Sequence, residues 1–477
     1  MKSILHISTE CYPAAKAGGM GDVLGALPQY LPVHGFSASV ILPKYKNAWF
    51  ESHSFAKVYS GEFAMDNEKI QFSIEILNNS DLPFPFYAVR IPGLFDRPQI
   101  YLNEDGVAFN DEVKRNIAFQ TSIVHWLVND DVSFDGLHCH DHMTGLIPFF
   151  TKHTKAYSSL SELPVFFTIH NGQYRGYIEW ADLALLPVFD KDKKGILDWD
   201  DKIHSLATAI KCAWKVNTVS PSYMKELLND FDNLTPLVLN EQRKCSGIIN
   251  GIDIDIWDPE SDKYLDAHLE NKNWKAFKGK HKTDLLKKFN LKSRRPLISF
   301  IGRFAYEKGA DLLSGAIEKV LESNSNVSFI ILGSGDKRIE LAIENLALKY
   351  KREVASIIAY DEKLARKIYA GSDFLIMPSR FEPCGLNQMY SMRYATVPVV
   401  RSTGGLIDTV PDISNGGNGI SFENAEEEDI VHAIGRSIDL YANKNAFYNL
   451  RNYISKLDYS WGSSAFKYAQ LYKNFIN

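Results

Sequence analysis

Between Pro296 and Arg401 the chain alternates short, almost wholly apolar runs with helical segments, and this alternation constrains its fold more than any other feature. Pro296-Leu297-Ile298-Ser299-Phe300-Ile301-Gly302 reads as a buried strand, followed by a polar loop and a helical stretch from Ala310 to Ser323. Val327 to Leu332 is the next strand, and the turn Gly333-Ser334-Gly335-Asp336 leads into an amphipathic helix reaching about Lys351. Val354 to Ile358 and Phe374 to Pro378 supply two more strands, with a helix over Asp361 to Ala370 between them, and Pro398 to Arg401 supplies another. Strands apolar on both faces need cover on both faces, so strict alternation predicts helices packed on either side of a parallel sheet.

The N-terminal half begins with the same rhythm. Ser3 to Thr9 reads as a short buried strand, a loop follows around Lys16-Ala17-Gly18-Gly19, a helix-compatible stretch meets Pro28, and Ser37 to Leu42 is the next strand. That spacing suits a strand, helix, strand crossover. A single core stops growing near roughly 250 to 300 residues, so 477 residues predict two domains. Asp258 to Lys282, between the halves, is polar without periodicity and reads as a loop or part of a linker. Two doubly wound α/β domains of similar size are expected to enclose a cleft, with ligands beyond the C-terminal ends of the strands.

Composition removes several function classes. Apolar residues at 45% and charged residues at 23% describe a folded globular chain. With 53 basic and 58 acidic residues the net charge is −5, so no global positive field is available for nucleic acid. Five cysteines, Cys11, Cys139, Cys212, Cys245 and Cys384, argue against a disulfide framework and for a reducing cytosol. Met1-Lys2 runs directly into Ile4-Leu5-His6-Ile7 without a signal-peptide pattern, and no apolar run approaches the ~20 residues that cross a bilayer. A cytoplasmic enzyme or binding protein is the expectation, with neither nucleic acid nor membrane as partner.

The chemistry is sought in loops that follow strands. In Gly302-Arg303-Phe304-Ala305-Tyr306-Glu307-Lys308-Gly309, Arg303 offers a planar fork and Lys308 a point charge, which suits a diphosphate as well as it suits ordinary solvent. Pro378-Ser379-Arg380-Phe381-Glu382-Pro383-Cys384-Gly385-Leu386-Asn387 opens a helix, whose first amides near Gly385 and Leu386 can meet an anion. Glu382 either caps that helix or holds sugar hydroxyls. In Lys16-Ala17-Gly18-Gly19-Met20-Gly21-Asp22 the paired glycines form a plain turn or let the backbone approach a ligand. His138-Cys139-His140-Asp141-His142 lacks zinc-site spacing, because a strand end is expected to turn these side chains to opposite faces. His170-Asn171 is a polar pair after the apolar run Val165 to Ile169, Tyr360 offers a half-buried ring or a stacking face, and Cys384 reads as a packed thiol.

Taken in order along nearly the whole chain, these segments resemble the bacterial glycogen synthase and plant starch synthase family. Leu94-Phe95-Asp96-Arg97-Pro98, Thr168-Ile169-His170-Asn171, Ile249-Asn250-Gly251-Ile252-Asp253 and Ser402-Thr403-Gly404-Gly405-Leu406 complete the set. The resemblance implies a GT-B fold of two Rossmann-like domains facing a central cleft. It implies residues 1–246 on the acceptor side and 247–455 for the nucleotide sugar, with 456–477 packing back on the first domain and a hinge near Gly247 to Gly251. It implies glucose transfer from ADP-glucose to glycogen or another α-1,4-glucan, with retention and without metal. Lys16, Arg303 and Lys308 would meet the donor phosphates, assisted by the glycine pair Gly18 and Gly19 and the Gly385 and Leu386 amides. Glu382, Asp141 and His170 would surround the glucose. Asp22, Asn250 and Tyr360 would sit at the nucleotide end. Met20, His142, Gly172, Asn387, Ser391 and Ala395 depart from the family's usual Leu, Trp, bulkier residue, Thr, Gly and Gly. The competing readings are a GT-B enzyme using UDP-glucose or a small acceptor, and a non-catalytic glucan-binding protein of the same fold. No pyridoxal phosphate lysine is identifiable for a phosphorylase, and no GxGxxG follows the first strand as a dehydrogenase requires.

Overall fold

The first expected strand, Ser3 to Thr9, runs Lys2–Ile7 (β1) in a computed structural model that describes residues 1–78, 82–104, 106–323 and 326–476. The chain divides into two units, Met1–Gly251 with Trp461–Asn477, and Ile252–Ser460. Asn477, the last residue of the segment expected to return to the first domain, lies outside the described residues. None of the described helices is long and apolar enough to cross a membrane.

In the first unit β1 is followed by Phe36–Pro43 (β2), Phe55–Met65 (β3), Glu68–Leu77 (β4), Phe86–Arg90 (β5), Gly136–His140 (β6) and Val165–Ile169 (β7). A small antiparallel sheet joins Tyr177–Ile178 (β8), Asp198–Trp199 (β9) and Lys202–His204 (β10). Lys215–Thr218 (β11) and Cys245–Gly247 (β12) return to the main sheet, whose order is β12-β11-β7-β6-β1-β2-β5-β4-β3. Pairing is parallel except at β5-β4-β3. Helix Gly19–Tyr30 carries Pro28 inside it, so the proline does not end the helix there. Helix Trp461–Lys473 lies against this sheet: the Tyr472 hydroxyl is 2.6 Å from His138 Nδ1, and Asn217 Nδ2 donates to the Tyr468 hydroxyl at 3.4 Å.

The second unit is the doubly wound sheet read from the alternation. Leu297–Ile301 (β13), Ser328–Gly333 (β14), Val354–Ile358 (β15), Phe374–Met377 (β16), Val397–Arg401 (β17) and Ile420–Phe422 (β18) pair in parallel in the order β15-β14-β13-β16-β17-β18. One expectation fails here. Residues 258–282 are not simply loop or linker, because Trp274–Lys288 is a helix. It buries Phe277, Leu285 and Leu286, but also Lys278 and His281. Lys278 Nζ donates to the Tyr369 carbonyl at 2.8 Å, the Tyr394 carbonyl at 3.1 Å and the Thr396 hydroxyl. A buried face that includes a fully hydrogen-bonded lysine leaves no apolar stripe in the sequence.

Both sheets reverse their winding direction beside their first strand. In the first unit β2 lies on one side of β1 and β6 on the other; in the second, β14 and β16 flank β13. Parallel strands on either side of such a switch point send their outgoing loops apart, which opens a crevice at their C-terminal ends. The loops after β1, β6, β13 and β16 are therefore placed where ligands bind in α/β sheets.

Candidate functional site

In the second unit the loops after β13 and β16 are locked together. Gly309 has φ +64, and a Cβ there would lie 2.1 Å from the Pro378 carbonyl oxygen. The Arg380 and Phe381 amides both donate to the Glu307 carbonyl, at 2.9 and 3.2 Å. This approach brings Lys308 to Glu382: Nζ donates to Oε1 at 2.9 Å and Oε2 at 2.7 Å, and the Ser379 hydroxyl donates to Oε2 at 3.0 Å. Glu382 is 7% exposed. Its backbone is held as well, since the Gly405 amide donates to its carbonyl at 3.1 Å, and a Cβ at Gly404 (φ +45) would lie 2.2 Å from that oxygen. Arg303 is different. It is exposed and pairs with Glu307 at 2.7 Å.

Gly385, at φ +75, turns the chain into helix Asn387–Arg393, with Leu386 as its N-cap. Seven residues are about two turns, so the local N–H groups, not a long macrodipole, are what this end presents. Asn387 Nδ2 donates to the Ile301 carbonyl at 2.7 Å, tying the helix start to the end of β13. At the other end the Ala395 amide bonds the Met392 carbonyl and the Thr396 amide the Ser391 carbonyl, the two hydrogen bonds of a Schellman cap. Ala395 takes the left-handed position of that cap at φ +54, where glycine is relaxed and a Cβ is strained. Tyr360, two residues past β15, is 87% exposed and not half-buried, so its ring faces are open to a planar ligand.

In the first unit the loop after β1 is organised by Glu10, a residue the motif reading did not pick out. Its Oε2 accepts from the Ala17 and Gly18 amides at 2.6 and 2.8 Å, and its Oε1 from the Tyr101 hydroxyl at 2.6 Å. Its signal was a carboxylate between a buried strand and a Gly-Gly loop. Lys16 Nζ donates to Asp22 Oδ1 at 2.6 Å. A Cβ at Gly19 would meet nothing within 4 Å, and one at Gly18 only Glu10 Oε1 at 4.0 Å. The protein's own packing therefore does not demand glycine at either position. Asn250 is buried, and its Oδ1 has no hydrogen-bond partner among the described residues.

Asp141 and His170 are brought together by the pairing of β6 with β7. Asp141 sits at φ +57, a strained conformation for a residue with a Cβ, and its Oδ1 accepts from the His170 amide at 2.7 Å and the Asn171 amide at 3.3 Å. Burial pushes its carboxyl up to about 7, opposed by those two N–H bonds and reinforced by the charge of Glu10. Burial holds the His170 imidazole down to about 3, neutral at physiological pH. Gly172 follows because a Cβ there would lie 2.7 Å from the Phe231 ring.

In the HCHDH run His138 and His140, two residues apart on β6, come together with His6 of β1, and one ring nitrogen from each lies within 4.8 Å of the others, while His142 lines a pocket of the same unit. Both His138 nitrogens are engaged by hydroxyls, Nδ1 with Tyr472 at 2.6 Å and Nε2 with Thr168 at 2.7 Å. His6 Nδ1 and His140 Nε2 are 3.1 Å apart, so the trio does not present three lone pairs to an ion.

A pocket of about 290 Å³ lies within the first unit, lined among others by Asn116, Gln120, His142, Gln173, Tyr174 and Tyr177. Tyr174 and Tyr177 are exposed. Aromatic faces beside planar amides make a surface suited to a neutral polyhydroxylated ligand.

Residues 3–238 match the family model described as the starch synthase catalytic domain, and residues 281–456 the one described as glycosyl transferases group 1. The chain is 40% identical over 474 residues to a glycogen synthase of Flavobacterium johnsoniae, covering 99% of each chain. It is 35% identical over 490 residues to a glycogen synthase of Lactococcus lactis, covering 98% of this chain and 99% of that one. The solved catalytic domain of Starch Synthase IV from Arabidopsis thaliana, bound to ADP and acarbose, has a TM-score of 0.87 at 30% identity and covers 100% of this chain and 99% of its own. Sucrose-phosphate synthase from Thermosynechococcus elongatus, with a TM-score of 0.62 at 16% identity and 99% of both chains covered, shares the fold.

Proposed function

The chain belongs to the glycogen synthase and starch synthase family and is a glucosyltransferase of the GT-B fold, and from this premise we propose that it moves glucose from ADP-glucose to the non-reducing end of an α-1,4-glucan with retention of configuration. The observation that carries the reading is the Lys308–Glu382 pair beside Arg303 at the β13/β16 switch point. A cation for the leaving group and a carboxylate for the sugar stand together there.

In the proposed reaction the bond between the anomeric carbon and the terminal phosphate oxygen breaks, and its electron pair stays with the phosphate. The acceptor hydroxyl forms the new bond to that carbon and gives its proton to the departing phosphate. Negative charge therefore grows on the diphosphate, where Arg303 and Lys308 neutralise it in the role a metal ion fills elsewhere. Two N–H groups of Lys308 go to Glu382, and the third is left for a phosphate oxygen. The Gly385 and Leu386 amides add short-range donors. We assign Tyr360 to stacking on the base, with Asp22 and Asn250 at the nucleotide end. Glu382 acts on sugar hydroxyls and by charge, since Lys308 and Ser379 hold both its oxygens in place. His170, neutral, and Asp141, whose carboxyl burial pushes up to about 7, complete the sugar's surroundings. The acceptor's terminal units would use the pocket around Tyr174 and Tyr177. Among the described residues the five cysteines, four of them buried, form no disulfide, which fits a reaction in the reducing cytoplasm.

Product analysis tests the reading. Maltotriose with ADP-glucose should give a ladder that grows by single glucose units and is digested from the non-reducing end by an α-1,4-specific exoglucosidase. Release of free glucose without chain growth would contradict it.

A further inference from the structure

His6, His140 and His170 form a diagonal across three adjacent strands. In the registers of β1 with β6 and of β6 with β7, His6 lies opposite His138 and His140 lies opposite Thr168. Each step from His6 to His140 to His170 therefore moves one strand over and two residues toward the C-terminal edge. Two contacts join the three rings: His6 Nδ1 to His140 Nε2 at 3.1 Å, and His140 Nδ1 to His170 Nε2 at 2.9 Å. All three are buried.

A neutral imidazole has one N–H and one lone pair, so each N···N contact must have one donor and one acceptor. The tautomers of the chain are then coupled. If His170 donates from Nε2, His140 accepts at Nδ1 and donates from Nε2 to His6, whose proton is forced onto Nε2. His6 Nε2 is buried and has no hydrogen-bond partner among the described residues, so that arrangement strands a buried donor. In the reverse arrangement His6 donates from Nδ1, His140 donates from Nδ1 to His170, and only a lone pair is left at His6 Nε2. A buried orphan N–H is the rarer and costlier defect.

We infer that His140, oriented by His6, is a positioning residue that fixes His170 as its Nδ1–H tautomer, so that His170 meets its ligand as a hydrogen-bond donor and not as a base. The assignment of that ligand as the transferred glucose rests on the proposed function; the tautomer does not. A sugar hydroxyl or ring oxygen accepts from Nδ1–H, and with Nε2 occupied by His140 the ring has no lone pair to take a proton from the acceptor.

Nitrogen-15 NMR of the histidine-labelled full chain reads the tautomer directly. The parent should show His170 with a protonated Nδ1 and a bare Nε2, unchanged from pH 8 to pH 6. His140→Leu, which can neither donate nor accept, should let His170 redistribute between tautomers and titrate upward. It should lower kcat roughly tenfold with donor KM nearly unchanged, as expected for one lost neutral hydrogen bond. His140→Gln, whose amide can both donate and accept, should restore most of that loss. If His140→Leu fails to fold, His6→Leu serves in its place, removing the donor at the far end of the chain. A parent His170 protonated at Nε2, or one whose tautomer is identical in a folded His140→Leu or His6→Leu variant, would overturn the inference. If instead the tautomer behaves as stated but His170→Ala turns over like the parent, the sugar assignment fails and the relay stands.

Discussion

Lys308→Ala should lower kcat at least about a hundredfold, a loss of about 3 kcal/mol or more in transition-state stabilisation. The bond to the diphosphate is only partly charged in the bound donor and fully charged as it leaves, so the cation's contribution grows along the reaction and the loss falls mainly on kcat. Lys308 also compensates a nearly buried carboxylate, with two bonds to Glu382. Its removal leaves Glu382 with Ser379 as its side-chain partner among the described residues and weakens the local structure in addition. Arg303→Ala separates the two effects. Arg303 is exposed and its partner Glu307 lies four residues away, a pair whose loss costs little stability. A hundredfold loss of kcat in Arg303→Ala with an unchanged thermal midpoint therefore isolates charge stabilisation. Turnover like the parent in either variant, measured at saturating donor, would show that the phosphate assignment is wrong.

The second large effect is acid lability centred on the first unit. Burial holds His6 and His170 down to about 3 and His138 and His140 well below the ordinary histidine value. Depressed histidines bind fewer protons folded than unfolded, so the stability they allow is present above about pH 6.5 and is lost as pH falls toward 3. Asp141 has the opposite sign: its carboxyl, raised to about 7, is protonated in the folded chain and ionised in the unfolded one between about pH 4 and 7, so that group favours folding as pH falls. The depressed histidines outnumber the one raised carboxyl, so unfolding of the first unit takes up protons near pH 5. Each proton taken up removes about 1.4 kcal/mol of stability per pH unit, to be set against the roughly 5 to 15 kcal/mol that holds a domain folded. In the second unit the salt-bridged Asp373 and Asp412 are held below the usual carboxylate range, so their contribution persists until pH falls below about 4. Hydrogen exchange from pH 7.5 to 5 should show protection of 136–140 and 165–169 collapsing while 328–333 and 354–358 remain protected. Equal loss in both units, or none in the first, would refute the histidine account.

What the sequence disclosed follows from where burial leaves a mark. The second unit was legible because its strands are covered on both faces: Val354 to Ile358 was read with the bounds it has, and Val397–Arg401 to within one residue. Trp274–Lys288 was missed because Lys278 and His281 occupy its buried face. The antiparallel pair β3–β4 went unread because β3 is half exposed, and its apolar positions do not alternate cleanly until Phe63 and Met65. At the site, charges in loops after strands were visible, whereas Glu10 and the His6–His140–His170 diagonal were not. The diagonal depends on strand order and register, which place His6 and His140, 134 positions apart, in contact and leave no local signature. Glu10 binds amides seven and eight residues on, and its carboxylate before the Gly-Gly loop is its local mark.

The central claim is tested most directly by initial rates of ADP and UDP release from ADP-glucose and UDP-glucose, each with and without glycogen, in buffer containing EDTA. The account predicts glycogen-dependent ADP release at full rate in the chelator, with UDP-glucose the poorer donor. Nucleotide release that ignores glycogen, a clear preference for UDP-glucose, or activity abolished by EDTA and restored by a divalent ion would contradict it.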